Sequence, residues 1–148
     1  MIIAFNIRRG INILFEEMVT DELHILPTDN TPEFIFSPEG IIKIKGRGLY
    51  GSQTEVPEQI TNWIDAYLRN PAETTDVIIA FEYLNSFSTT ILASILKKLT
   101  QITSQTKKLV IRWHYEEGDE DILERGEYIS STFDIPITFV MTNGFTSL

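Results

Sequence analysis

Six residues in the middle of the chain, Asn85-Ser86-Phe87-Ser88-Thr89-Thr90, gather four hydroxyls and one amide. Upstream, Val77, Ile79, Phe81 and Tyr83 alternate with Asp76, Ile78, Ala80 and Glu82, the period of a mostly buried strand. Downstream, Ile91, Leu92, Ile95, Leu96 and Leu99 fall at helical spacing. The hydroxyls therefore lie at a strand-to-helix turn, where backbone N–H groups lack intrahelical partners and negative charge is favoured. Three kinds of chemistry suit such a turn. One is simple capping of the helix, for which Ser88 or Thr89 is the expected residue, leaving Ser86 free. A second is a hydroxyl that carries a phosphate. The third is a nucleophile, which needs a base; the nearest candidate in the sequence, His114, has no Gly-x-Ser-x-Gly elbow opposite it.

Other chemistry-bearing groups are sparse. Glu116-Glu117-Gly118-Asp119-Glu120-Asp121 places five carboxylates in six residues, but the spacing is not that of a calcium loop. Carboxylates at a helix start are favourable for dipole reasons alone, so the run is expected to be an exposed helix start or an acidic partner-facing patch that holds no metal. His24 and His114 are too far apart to suggest a metal site, and with no cysteine in the chain, thiolate sites and cysteine nucleophiles are excluded. Gly46-Arg47-Gly48-Leu49-Tyr50-Gly51-Ser52 has neither the spacing nor the lysine of a P-loop and reads as a linker to a helix. No cofactor is expected.

The elements that must hold this turn follow from periodicity. Leu23 to Leu26 reads as a short strand. Phe34 to Phe36 and Ile41 to Lys45 read as a hairpin around Ser37-Pro38-Glu39-Gly40. Pro57 to Arg69 reads as a helix with Ile60, Trp63, Ile64, Tyr67 and Leu68 on one stripe. After the central strand and a helix over Thr89 to Thr103 come a strand at Leu109 to Tyr115, a helix ending near Ser131, and a last strand at Ile135 to Met141. An initial hairpin followed by alternating strands and helices implies an α/β fold with a mixed sheet covered by helices.

Length and charge bound the rest. The chain has 148 residues, 43% hydrophobic and 22% charged, which suits one domain with a single core. Residues 1–17 read as an N-terminal extension and 18–148 as the domain. The first fifteen residues, broken by Arg8, Arg9 and Gly10, are neither a spanning helix of about 20 residues nor a signal peptide. Twelve basic residues against 21 acidic ones give a net charge of -9, which argues against a nucleic-acid or anionic-membrane surface. A cytoplasmic protein, monomeric unless partnered, is expected.

Several short pieces then occur in a telling order: Thr31-Pro32-Glu33-Phe34 with Pro38-x-Gly40, Ile44-x-Gly46-Arg47, Trp63-Ile64-x-x-Tyr67, Tyr83-Leu84-Asn85-Ser86-x-Ser88, Ile111-x-Trp113-x-Tyr115, and Asp119-Glu120-Asp121-x-Leu123-Glu124-x-Gly126. Together, from about Leu23 to Phe139, the chain resembles the SiaC family of bacterial regulatory phosphoproteins. The resemblance implies a small α/β domain, broadly STAS-like as in anti-sigma-factor antagonists, that is not an enzyme. It implies phosphorylation by a serine/threonine kinase, removal of the phosphate by a metal-dependent phosphatase, and binding of a diguanylate cyclase in the unphosphorylated state, hence a place in cyclic di-GMP signalling and biofilm regulation. The family phosphosite falls on Ser86, where serine replaces the common threonine, and Phe87 replaces a small hydroxyl residue. Asn85 and Ser88 are expected to support Ser86 by local hydrogen bonds. The expected partner-binding residues are Tyr83, Asn85, Phe87, Ser88, Asp119, Glu120 and Asp121. Two alternatives from other classes are a small hydrolase or phosphotransferase using Ser86 with His114, and an interaction module that is never modified.

Overall fold

The structure, a computed structural model, describes residues 21–51, 56–146 and 148; the extension expected at 1–17 lies outside them. Among the described residues, six strands form one sheet: β1 (Leu23–Ile25), β2 (Glu33–Ser37), β3 (Ile41–Gly48), β4 (Thr74–Leu84), β5 (Lys108–Glu116) and β6 (Thr138–Thr142). Three α-helices connect them, α1 (Glu58–Arg69), α2 (Ser86–Leu99) and α3 (Glu120–Phe133), with a 3-10 segment at Thr100–Gln105 after α2. Spatial order follows chain order, β1-β2-β3-β4-β5-β6. The first three strands pair antiparallel and the last four pair parallel, which is the mixed sheet read from the sequence.

The topology decides where the helices go. Each parallel connection, β3-α1-β4, β4-α2-β5 and β5-α3-β6, steps one strand further in the same direction. Right-handed crossovers all taken one way place every connecting helix on the same face. The register bears this out. Phe34, Ile44, Ile79 and Trp113 lie side by side across four strands, as do Phe36, Ile42, Val77 and Ile111, and all eight are buried. Against them pack Ile60, Ile64 and Tyr67 of α1, Leu92, Ile95, Leu96 and Leu99 of α2, and Ile122 and Ile129 of α3. Trp63 is partly buried in a stack on Tyr67, with ring centroids 5.0 Å apart, and Leu96 is fully buried, so both helix stripes face as their spacing predicts.

The opposite face alternates by one residue and carries Lys43, Lys45, Asp76, Arg112, His114 and Glu116 among apolar neighbours. Here Arg112 Nη1 donates to Asp76 Oδ1 at 3.0 Å. His114 is buried, its Nδ1 has no hydrogen-bond partner among the described residues, and burial, with a smaller contribution from Arg112, holds its pKa below the ordinary imidazole value. Between that lowered value and about 6.5, the unfolded chain binds more protons than the folded one. Stability from His114 is therefore expected to be present above about pH 6.5 and to be lost as pH falls toward the lowered value. Urea midpoints at pH 7.5 and 5.5 check this; His114→Gln should show a smaller drop than the wild type, and an equal drop would refute it.

Two local expectations are corrected. Gly46-Arg47-Gly48 is the end of β3, not a linker. β4 carries an extra residue there: Gly46 pairs with Phe81 but Arg47 with Tyr83, so a bulge kinks the edge of the pair, and Gly46 takes a positive φ of 123° that suits only glycine. α2 begins at Ser86 rather than Thr89, because the cap is one residue upstream of the hydroxyl cluster.

Candidate functional site

At the turn from β4 to α2, Asn85 is the N-cap. Its Oδ1 accepts from Ser88 N–H at 2.9 Å, and its Nδ2 donates to the Tyr50 carbonyl at 2.9 Å. Ser88 Oγ in turn accepts from Tyr50 N–H at 3.0 Å, closing a ring of three residues that ties the end of β3 to the start of α2. Burial of the Tyr50 phenol raises its pKa. The expectation that Ser88 or Thr89 caps the helix is thus overturned. Asn85 and Ser88 support the turn as a whole rather than the Ser86 hydroxyl.

The four hydroxyls of the cluster separate cleanly. Ser88 is buried and engaged with Tyr50. Thr89 is buried and donates to Asn85 O at 2.8 Å. Thr90 is exposed but donates back to Ser86 O at 3.2 Å, an ordinary intrahelical back-bond. Ser86 is exposed, and no hydrogen bond engages its hydroxyl among the described residues. It opens into a groove of about 410 Å³ between two helices, where Ser86 and Thr90 of α2 face Asp121, Glu124, Arg125 and Tyr128 of α3.

Of the seven residues expected to bind a partner, three line two separate recesses. Asp121 shares the groove with Ser86. Tyr83 and Asp119 line a larger cleft of about 930 Å³ together with Lys45, Arg47 and Phe145. Arg47 sits over the Tyr83 ring, 4.5 Å from its centroid, and its Nε donates to the Asp29 carbonyl at 2.7 Å. Phe87 and Glu120 are exposed, Asn85 is partly covered, and Ser88 points inward, away from any docking surface. Tyr83, Phe87 and Tyr128 are 56%, 48% and 55% exposed; Tyr128 shares the groove with Ser86, and Phe87 follows it in the chain. Sequence reasoning passed over Glu124, Arg125 and Tyr128 as site residues. The signal was present in their spacing with Asp121 at i, i+3, i+4 and i+7, which puts all four on one face of α3.

His114 does not join Ser86. Trp113 packs under α3, so its neighbour His114 points to the opposite face of the sheet, while Ser86 opens on the helix side. The two therefore do not form a nucleophile–base pair. Two carboxylates of the acidic run are engaged locally: Asp119 Oδ1 caps α3 by accepting from Ile122 N–H at 3.1 Å, and Asp121 Oδ2 accepts from Arg125 Nε at 3.3 Å. Among the described residues no group of three histidine or carboxylate side chains could hold a metal ion. Calorimetry with Mg²⁺ and Ca²⁺ is expected to show no site of micromolar affinity; such a site would overturn this assignment of the run. No helix among the described residues is long and apolar enough to cross a membrane.

Comparison with known proteins agrees with this architecture. The model of the SiaC family regulatory phosphoproteins matches residues 25–142. An uncharacterized protein of Pseudomonas aeruginosa strain UCBPP-PA14 is 23% identical over 116 residues, 78% of this chain and 92% of that protein. The solved SiaC of Pseudomonas aeruginosa superposes with a TM-score of 0.70 at 20% identity, covering 83% of this chain and 100% of the other. A structure of the diguanylate cyclase SiaD in complex with its activator SiaC, from the same species, matches with a TM-score of 0.68 at 22% identity over 81% of this chain and 99% of the other. Both are similar to this chain in fold.

Proposed function

Because the chain belongs to the SiaC family of regulatory phosphoproteins, we propose that it is a non-enzymatic signalling protein in which phosphorylation of Ser86 switches the binding of a partner. The observation that carries this is the separation of the hydroxyls: of the four in the turn, Ser86 is the exposed one whose hydroxyl is not engaged. The exposed Phe87, next to it in the chain, and Tyr128, which lines the same groove, supply apolar contact area, the usual anchor of a docking surface. A similar protein, SiaC, is an activator found in complex with a diguanylate cyclase, so the partner class proposed for this chain is a cyclase of that kind, with a serine/threonine kinase adding the phosphate and a metal-dependent phosphatase removing it.

The physics of the switch is local. A phosphate adds about -1.5 to -2 charge to a groove that already holds Asp121 and Glu124 against a single arginine. A partner that docks on the neutral turn then meets a solvated dianion that must be stripped of water or repelled. Phosphosite mapping after incubation with the cognate kinase, combined with partner pulldown, tests the proposal. The label is expected on Ser86. Ser86→Ala should keep partner binding and lose the label, and Ser86→Asp should bind at least about tenfold more weakly, equivalent to about 1.4 kcal/mol. Label on Thr90 instead, or Ser86→Asp binding as well as wild type, would refute it.

A further inference from the structure

Arg125 is the cation among the described residues lining the Ser86 groove, and its present bond is weak. Its Nε reaches Asp121 Oδ2 at 3.3 Å across one turn of α3, with the aspartate side chain largely in solvent. Exposed pairs of this spacing contribute little. Asp121 also lies in the first turn of α3, where the helix dipole favours a negative group with or without a side-chain cation beside it. A phosphoryl group on Ser86 would place a doubly charged, three-oxygen acceptor across the same groove. A guanidinium fork matches phosphate geometry better than it matches one oxygen of a solvated carboxylate.

Resting on the reading of Ser86 as the modified residue, we propose that Arg125 is the internal reader of that phosphate: on modification it leaves Asp121, pairs with the phosphoryl oxygens, and latches the start of α2 to α3. The groove then closes over Tyr128, so that phosphorylation removes a docking recess as well as adding charge. Asp121 and Glu124, the other charged groups facing the groove, oppose the phosphate and set the size of the gain. Arg125→Gln removes the reader; Asp121→Asn removes its competitor; Arg125→Lys keeps the charge and loses the fork.

The test is made on full-length protein in which phosphoserine is incorporated at position 86 during synthesis, so that it does not depend on any kinase choosing that residue. Phosphorus NMR follows the second ionisation of the phosphate, and proton–nitrogen spectra follow the Arg125 Nε–H. In the phosphorylated wild type the Arg125 Nε–H resonance is expected to move and to exchange more slowly than in the unmodified protein. Arg125→Gln should raise the phosphate's second pKa by about half a unit or more, toward or above the usual value of about 6. Arg125→Lys should restore part of that shift, and Asp121→Asn should lower the pKa further. An unchanged pKa in Arg125→Gln, or an Nε–H signal indifferent to the phosphate, would overturn the latch. Neither outcome would bear on whether a kinase modifies Ser86, which the mapping experiment decides separately.

Discussion

Trp113→Ala is expected to lower folding stability by about 3–5 kcal/mol, a large share of the roughly 5–15 kcal/mol that holds a domain of this size together. The indole is fully buried in the middle of the sheet, and its Nε1 donates to the Ile122 carbonyl in the first turn of α3 at 3.1 Å. It is also the surface on which α3 rests. A Cβ placed on Gly126 would lie 2.7 Å from two atoms of the indole and 2.7 Å from the Phe139 ring. That contact makes a second, sharper expectation. Alanine is better than glycine in a helix by about 1 kcal/mol, so Gly126→Ala would stabilise an uncrowded helix. Here two rigid rings stand in the way, and overpacking of about 1–3 kcal/mol reverses the sign. In a Trp113→Phe background, where the fused ring is gone, Gly126→Ala should cost less than it does alone, a coupling readable from a double-mutant cycle in urea. Gly126→Ala found neutral or stabilising in the wild type would show that α3 does not sit on the indole as closely as the structure has it.

The positions of Trp113 and Gly126 show what a linear reading reaches and where it stops. Strand and helix stripes are legible because burial imposes a period: Val77, Ile79 and Phe81, or Ile60, Ile64 and Tyr67, announce their faces through spacing alone. Tertiary partners impose no period. Asn, Ser and Thr are all good N-caps, and nothing within Asn85 to Thr90 says that Tyr50, 35 residues away, occupies the Asn85 amide and draws Ser88 inward. The bulge opposite Gly46 is hidden for the same reason, since an extra residue in β4 is defined by its pairing and not by its own sequence. The Ser86 groove is a different matter, since half of it belongs to α3: the spacing of Asp121, Glu124, Arg125 and Tyr128 puts them on one helix face, but nothing in it says that α2 lies opposite.

That dependence of the turn on a distant residue leads to the other large effect. Asn85→Ala is expected to cost about 2–3 kcal/mol, from a lost helix cap of about 1 kcal/mol and a lost hydrogen bond of about 1 kcal/mol or somewhat more to the partly buried Tyr50 carbonyl. Asn85→Asp separates the two contributions. A carboxylate still accepts from Ser88 N–H, but it has no donor for Tyr50 O and sets a negative oxygen against it, so a loss intermediate between wild type and Asn85→Ala is expected, partly recovered at a pH low enough to protonate the aspartate. Urea midpoints give the ordering wild type, Asn85→Asp, Asn85→Ala. The consequence for the site is as telling as the stability. With the cap gone, the first turn of α2 frays, and the hydroxyls of Ser88 and Thr89, which the ring and the Asn85 carbonyl keep buried and engaged, become accessible. A kinase that labels Ser86 alone in the wild type should then distribute phosphate over Ser86, Ser88 and Thr89 in Asn85→Ala. Label confined to Ser86 in that variant would mean that selection rests with the kinase's reading of sequence and not with the hydrogen-bonded ring that hides Ser88 and Thr89.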